Sequence, residues 1–180
     1  MARFAVLLRG VNVGSAKRVP MAEFRALLQA LGHGGVRTLL NSGNAVFDSS
    51  ERSAARHAQR IGEVLLERLN IEVPVIVKSA QDFGAVAAGN VLAPTATDPS
   101  RLLVAFAQEA AAIAALAPVA ALAVAPEAMH IGPQAAYLWC PNGILQSKVG
   151  KALLGRPGNA VTTRNWATVR KLEDLLRTGA

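Results

Sequence analysis

Two short β-type runs, Val36 to Leu40 and Ala45 to Phe47, are separated by Asn41-Ser42-Gly43-Asn44, and no other stretch constrains the fold as strongly. Asn and Gly tolerate positive φ, so the chain turns back here and the runs pair as a hairpin. The flanks then fix the rest of the unit. Upstream, Pro20 opens a helix at its first position, where a fixed φ suits. Met21, Phe24, Leu27, Leu28 and Leu31 follow at three- and four-residue spacing, which is one apolar helical face, and Gly32 ends the helix as a left-handed cap. Downstream, Ser49 or Ser50 caps a second helix, with Ile61, Val64, Leu65 and Leu69 on its buried face. Outside the helices lie two further β-type runs. One is Phe4 to Leu8, ending in Arg-Gly; the other is Val73 to Val77, with Pro74 near its start, where a missing donor is tolerated. The order is β-α-β-β-α-β, the split βαβ or ferredoxin-like unit.

A short helix at Gln81 to Ala88 and a linker at Pro94 to Pro99 follow. A second round then begins. Leu102 to Ala107 reads as a strand and Glu109 to Leu116 as a helix stopped by Pro118. Ala128 to Ile131 and Ala136 to Cys140 pair around Gly132-Pro133. A helix near Leu145 to Leu154, a strand at Ala160 to Thr163 and a final helix at Arg164 to Leu176 complete the chain. That last helix buries Trp166, Val169, Leu172 and Leu175 or Leu176. The second half echoes the first in element order without repeating its sequence. The expected class is α+β, with two ferredoxin-like (split βαβ) halves packed in one compact unit. The divisions fall at residues 1–80, a helix and linker at 81–100, and an α/β half at 101–180.

Hydrophobic residues make up 52% of the chain, enough for a real core. Much of that is alanine, so Phe4, Phe24, Phe47, Phe83, Phe106, Trp139 and Trp166 must supply the large volumes. No apolar run approaches the roughly 18 residues of a membrane span; the longest, Ala110 to Ala125, is broken by Pro118. Met1 to Leu8 is too short for a signal-peptide core. The expected location is therefore the cytoplasm, with no membrane contact, and a single cysteine, Cys140, agrees. The net charge of +7 is unevenly placed. Residues 1–78 carry 11 Lys/Arg against 6 Asp/Glu, and residues 148–180 carry 7 against 2. Between them Arg101 stands alone against Asp82, Asp98, Glu109 and Glu127. Basic ends suit an anionic partner, a small molecule or a nucleic acid. A plain solubility surface in an arginine-rich chain is the simpler reading, since charge alone discriminates weakly.

Three segments carry more glycine and polar character than packing requires. Arg9-Gly10-Val11-Asn12-Val13-Gly14, with Lys17 and Arg18, joins a strand to a helix N-terminus, where backbone N–H groups can meet an anion. It is neither a dinucleotide fingerprint nor a Walker loop, lacking a third glycine and a Gly-Lys-Ser/Thr; an ordinary strand-to-helix connection is the alternative. Asn41, Ser42, Gly43 and Asn44 are a tight turn first, and functional only if they lie beside that loop. Thr162, Thr163, Arg164 and Asn165 suit helix capping, or a phosphate or carboxylate held at the helix start. Trp166 reads as core. No metal-ligand spacing links His33, His57 or His130 to Cys140, and the first two histidines read as structural or solvated. Cys140 reads as a buried, inert thiol. No close carboxylate pair is present, and Ser147-Lys148 is too short a motif to carry weight.

The blocks Leu7-Leu8-Arg9-Gly10-Val11-Asn12-Val13-Gly14, Val19-Pro20-Met21 and Asn41-Ser42-Gly43-Asn44-Ala45-Val46-Phe47 resemble the N-terminal hallmarks of a bacterial family, domain of unknown function 1697 (DUF1697). Thr162 to Val169 is similar to its closing block. The resemblance implies an α/β fold of two ferredoxin-like halves. It implies no activity, cofactor or catalytic residue, and Gln81 to Gln134 contributes no block to it.

Three functions follow as expectations. The first is binding of an anionic ligand, a nucleotide, RNA or a phosphorylated metabolite, at Arg9, Gly10, Asn12, Gly14, Lys17, Asn41, Ser42, Gly43, Asn44, Thr163, Arg164 and Asn165. The strands lack the exposed aromatics of an RNA-recognition motif. The second is an enzyme acting on a small phosphorylated or carboxylated metabolite, with no obvious general base. The third is a structural or oligomerisation module using a sheet edge. No catalytic residue, metal or cofactor is assigned.

Overall fold

In the computed structural model, which describes residues 1–14 and 17–178, the chain forms two compact units. The first comprises Met1–Gly84 with Leu172–Ala180, the second Ala85–Lys171.

The first unit runs β1 (Ala2–Leu8), α1 (Met21–Ala30), β2 (Gly34–Leu39), β3 (Asn44–Ser49), α2 (Ala54–Leu69) and β4 (Val75–Ser79). Its sheet is antiparallel in the order β2-β3-β1-β4, the ferredoxin-like order. Register is set where Phe4 faces Phe47 and Val6 faces Ala45 on β1 and β3. A one-residue slip would turn these side chains to the opposite face. The apolar stripe of α1 buries Phe24, Leu27 and Leu28, and α2 buries Ala58, Ile61 and Leu65; all six join a core with Phe4, Val6, Phe47 and Val77.

Four expectations shift here. Pro20 occupies the cap position of α1 rather than its first helical residue. Ser53 caps α2 by accepting from Arg56 N at 3.3 Å, whereas Ser49 is the last residue of β3 and its Oγ accepts from Glu51 N at 3.2 Å. β4 begins at Val75, since Pro74 lacks a donor and its carbonyl accepts instead from Arg9 N at 3.1 Å. The hairpin turn occupies residues 40–43, with positive φ at Leu40 and Gly43. Asn44 is drawn into β3 opposite Leu39 and Leu7.

A short helix, α3 (Ala80–Ala88), follows, and the second unit continues with β5 (Leu102–Ala107), α4 (Ala110–Ala114), α5 (Ala117–Ala120), β6 (Ala128–Ile131), β7 (Ala135–Trp139), α6 (Lys148–Leu154), a 3-10 turn at Arg156–Gly158 and β8 (Val161–Asn165). Helix α7 (Trp166–Thr178) begins here and ends in the first unit. The sheet order, β6-β7-β5-β8, is again antiparallel and ferredoxin-like. Its core gathers Ala105, Ile113, Leu116, Leu138, Val149, Leu153 and Val161. The fold is thus α+β, with one ferredoxin-like sheet in each unit.

Pro118 lies in the first turn of α5 instead of merely stopping the helix before it, as a proline without an N–H can. Ser147 caps α6 by accepting from Gly150 N at 2.9 Å, which places the helix start later than Leu145. Cys140 lies one residue past β7. Arg164 and Asn165 are strand, opposite Val104 and Leu103, so the last helix starts at Trp166. Trp166 is only half-buried, with Arg170 5.9 Å over its ring, whereas Val169, Leu172 and Leu176 are buried.

Candidate functional site

The described part of the β1–α1 connection, residues 9–14 and 17–20, leaves β1 and arrives at the N-terminus of α1. It lies against the hairpin turn. Leu8 N donates to Gly43 O at 2.9 Å. A Cβ on Gly43 would stand 2.7 Å from both Leu8 Cβ and Val11 Cγ2, so only glycine allows this approach. Asn12, with φ of 57°, fastens the two segments. Its amide donates to Val19 O at 2.8 Å and to Asn41 O at 2.6 Å, and its Oδ1 accepts from Val19 N at 2.8 Å. Both amide hydrogens are therefore committed to the fold.

Between them the segments enclose a cleft of about 350 Å³, lined by Asn12, Arg18, Val19, Pro20, Met21 and Asn41. Arg18 is exposed and makes no hydrogen bond or ion pair among the described residues. Pro20 caps α1 without a side-chain hydrogen bond, which leaves the first N–H groups of the helix to solvent or a ligand. Glu23, also exposed, is the acidic group of that first turn.

The other expected residues of the first unit serve this arrangement from outside the cleft. The Lys17 ammonium donates to Glu72 O at 2.8 Å and so clamps the loop to the strand approach. Asn44 is fully buried and donates to Leu39 O at 3.0 Å and Ser42 Oγ at 2.9 Å, shaping the turn from beneath. Gly10 and Gly14 take positive φ on the exposed part of the loop. Burial lowers the Arg9 guanidinium from its ordinary value.

Thr163, Arg164 and Asn165 belong to the second unit, and their local setting differs from the expected exposed helix start. Arg164 is buried on β8 and donates to Thr162 Oγ1 at 2.7 Å and Thr163 O at 2.8 Å. Burial pushes its guanidinium down to about 10. Asn165 caps α7, its Oδ1 accepting from Thr168 N at 2.9 Å. Cys140 is buried and donates to Arg101 O at 3.3 Å. Burial first, then Glu127, pushes its thiol up to about 11, which disfavours the thiolate.

The sequence reading missed a second cavity of the first unit, of about 400 Å³, where His33 and His57 meet Arg56, Arg60 and Glu51. Nothing in their spacing shows it, because a whole hairpin separates the histidines. Among the described residues, no group of three or more His, Cys, Asp or Glu could hold a metal ion, and no helix is long and apolar enough to cross a membrane.

No curated protein matches the chain. A solved structure of a conserved bacterial protein from Streptococcus pneumoniae is similar, with 28% identity and a TM-score of 0.81 over 98% of this chain and 99% of that one. The family model described as "Protein of unknown function (DUF1697)" matches residues 1–137, which include the loop, the turn and both cavities of the first unit and leave Thr162 to Val169 outside. The chain belongs to the DUF1697 family.

Proposed function

We propose that the chain binds a small anionic ligand in the cleft between the 9–20 loop and the hairpin turn. The observation that carries this reading is Arg18. It is an exposed arginine without a partner among the described residues, on the wall of a 350 Å³ cleft at an uncapped helix start. A guanidinium and a helix N-terminus attract the same charge, and guanidinium geometry suits phosphate or carboxylate. Asn12, Gly43 and Lys17 hold the cleft open in this reading, while Arg18 and the α1 N–H groups take the ligand. Glu23 opposes the anion, so Arg18 is required.

A small molecule is favoured over a nucleic acid. Neutralising a polyanion takes several phosphate contacts, and the cleft presents a single arginine. Among the described residues Arg18 is also its only titratable lining residue, so binding is favoured over proton-transfer catalysis.

Calorimetric titration with pyrophosphate at low salt tests the reading. Binding should weaken with salt, and Arg18→Ala should weaken it by about 1.5–3 kcal/mol, the worth of a hydrogen bond to a charged group. Equal affinity in the wild type and Arg18→Ala, or no saturable binding at all, would overturn it.

A further inference from the structure

The second cavity of the first unit lies where the end of α1, the start of β2 and the first turns of α2 meet. Its floor is aromatic. The His33 ring stacks on Phe47, with centroids 4.3 Å apart, and meets the edge of His57 at 4.9 Å. His57 is buried, touches the edges of Phe4 and Phe47, and has its Nε2 3.0 Å from Glu51 O. His33 Nε2 is buried and has no hydrogen-bond partner among the described residues. Buried polar atoms are nearly always satisfied, so an orphan in a cavity wall calls for an account.

The charges at the rim do not cancel. Glu51 is already engaged, accepting from Ser53 N at 2.8 Å and from Arg56 Nη1 at 3.0 Å. Arg60 is exposed and has no hydrogen bond or ion pair among the described residues. One positive charge is therefore left over beside a pair of imidazoles. Its field is felt locally, since burial first, then His57 and Arg60, push His33 down to about 4.

We propose that this cavity is a second ligand site, taking a small organic oxyanion, a carboxylate or a phosphate monoester, with Arg60 gripping the anionic group and the His33 ring forming the floor beneath it. The volume of about 400 Å³ suits a metabolite-sized molecule. Leu31 gives the ligand an apolar wall. The site is separate from the loop cleft, since the two share no lining residue.

The chain has three histidines, so their ring C–H signals in proton NMR can each be followed. Inorganic phosphate and succinate are the probes, titrated at constant ionic strength, with chloride as the control. His33→Asn assigns the signals. Saturable shifts of the His33 and His57 signals with either probe, without a shift of His130 in the second unit, are expected; which probe acts tells phosphate from carboxylate. Arg60→Gln should weaken the effect about tenfold or more. Arg68→Gln, an exposed arginine in the last turn of the same helix, should leave it unchanged. No saturable shift with either probe, an equal shift with chloride, or an undiminished shift in Arg60→Gln would overturn the proposal.

Discussion

In the first unit, residues 9–20 separate β1 from α1; in the second, Gln108 and Glu109 alone separate β5 from α4. Both sheets have the same strand order, so the ladder needs no more than the shorter connection. The longer one adds positive φ at Gly10, Asn12, Gly14 and Lys17, and it adds basic residues where the shorter ends on a glutamate. The helices differ as well. α1 and α2 have 10 and 16 residues, against 5, 4 and 7 in α4, α5 and α6. The main cluster of the first unit holds Phe4, Phe24 and Phe47, while the corresponding cluster of the second is built from alanines with Leu116, Leu138 and Leu153, its buried Phe106 and Tyr137 lying outside that cluster. Sheet order is thus compatible with a leaner build, and part of what exceeds that build in the first unit, Asn12 and Arg18 to Pro20 of the longer connection, lines its cleft.

The contrast can be broken most directly in the cores. Phe47→Ala should cost about 3–5 kcal/mol of unfolding free energy in urea, and Leu138→Ala about 2–3 kcal/mol, because small neighbours close more easily over a smaller void. Both tryptophans, Trp139 and Trp166, lie in the second unit, so fluorescence reads that unit while circular dichroism reads the whole. Phe47→Ala should move the dichroism transition more than the fluorescence transition. An equal cost for both variants would end the distinction between an aromatic and a small-residue core.

The hairpin glycines give a sharper and smaller test. Gly43 combines φ of 75° with a Cβ position 2.7 Å from two side-chain carbons, so Gly43→Ala should cost about 2–4 kcal/mol. In the other hairpin, an added Cβ on Gly132 would meet Ala135 O at 3.0 Å without a positive φ, so Gly132→Ala should cost about 1 kcal/mol. Thermal unfolding of the two variants decides it, and reversal of that order would show that the first turn is not the more constrained.

The smallest effect concerns pH. His33 is neutral in the folded state down to about pH 4, whereas the unfolded chain protonates it near 6.5. The unfolded state therefore takes up the proton first. This contribution is intact above pH 6.5 and is lost progressively as pH falls toward 4. The groups around the ring are His57, Arg56, Arg60 and Glu51. The midpoint of urea unfolding should fall across that window, and His33→Phe should flatten the fall. An unchanged slope in the variant would mean that the other groups set it.

What the sequence made legible was periodic or local. The stripe of α1 is visible because apolar spacing at 3.6 residues per turn is a property of neighbours along the chain, and the hairpin because turn chemistry is local. Ser53 was missed as a cap because Ser49 and Ser50 offer the same hydroxyl, and only the distance between the end of β3 and the start of α2 decides which serine stands at the helix. Arg164 and Asn165 look like a helix start until β5 claims them. At the site, Gly43 and Asn12 could be singled out by type, but their contact could not. Arg18, next to the chosen Lys17, became the cleft arginine because the loop turned Lys17 toward Glu72. The paired histidines were beyond reach, since helix docking alone brings them together.

Helix α7 has a further consequence for how the chain is made. Its opening residues belong to the second unit and its closing ones to the first, where Leu172 and Leu176 are buried and Leu176 O accepts from Arg3 Nη1 at 3.0 Å. During synthesis the N-terminal unit emerges early but cannot seat this helical segment until the entire second unit has been translated. Its birth order and its completion order are therefore opposite, and the nascent first unit, with all four of its strands already made, must wait for a helical piece encoded after the whole second unit.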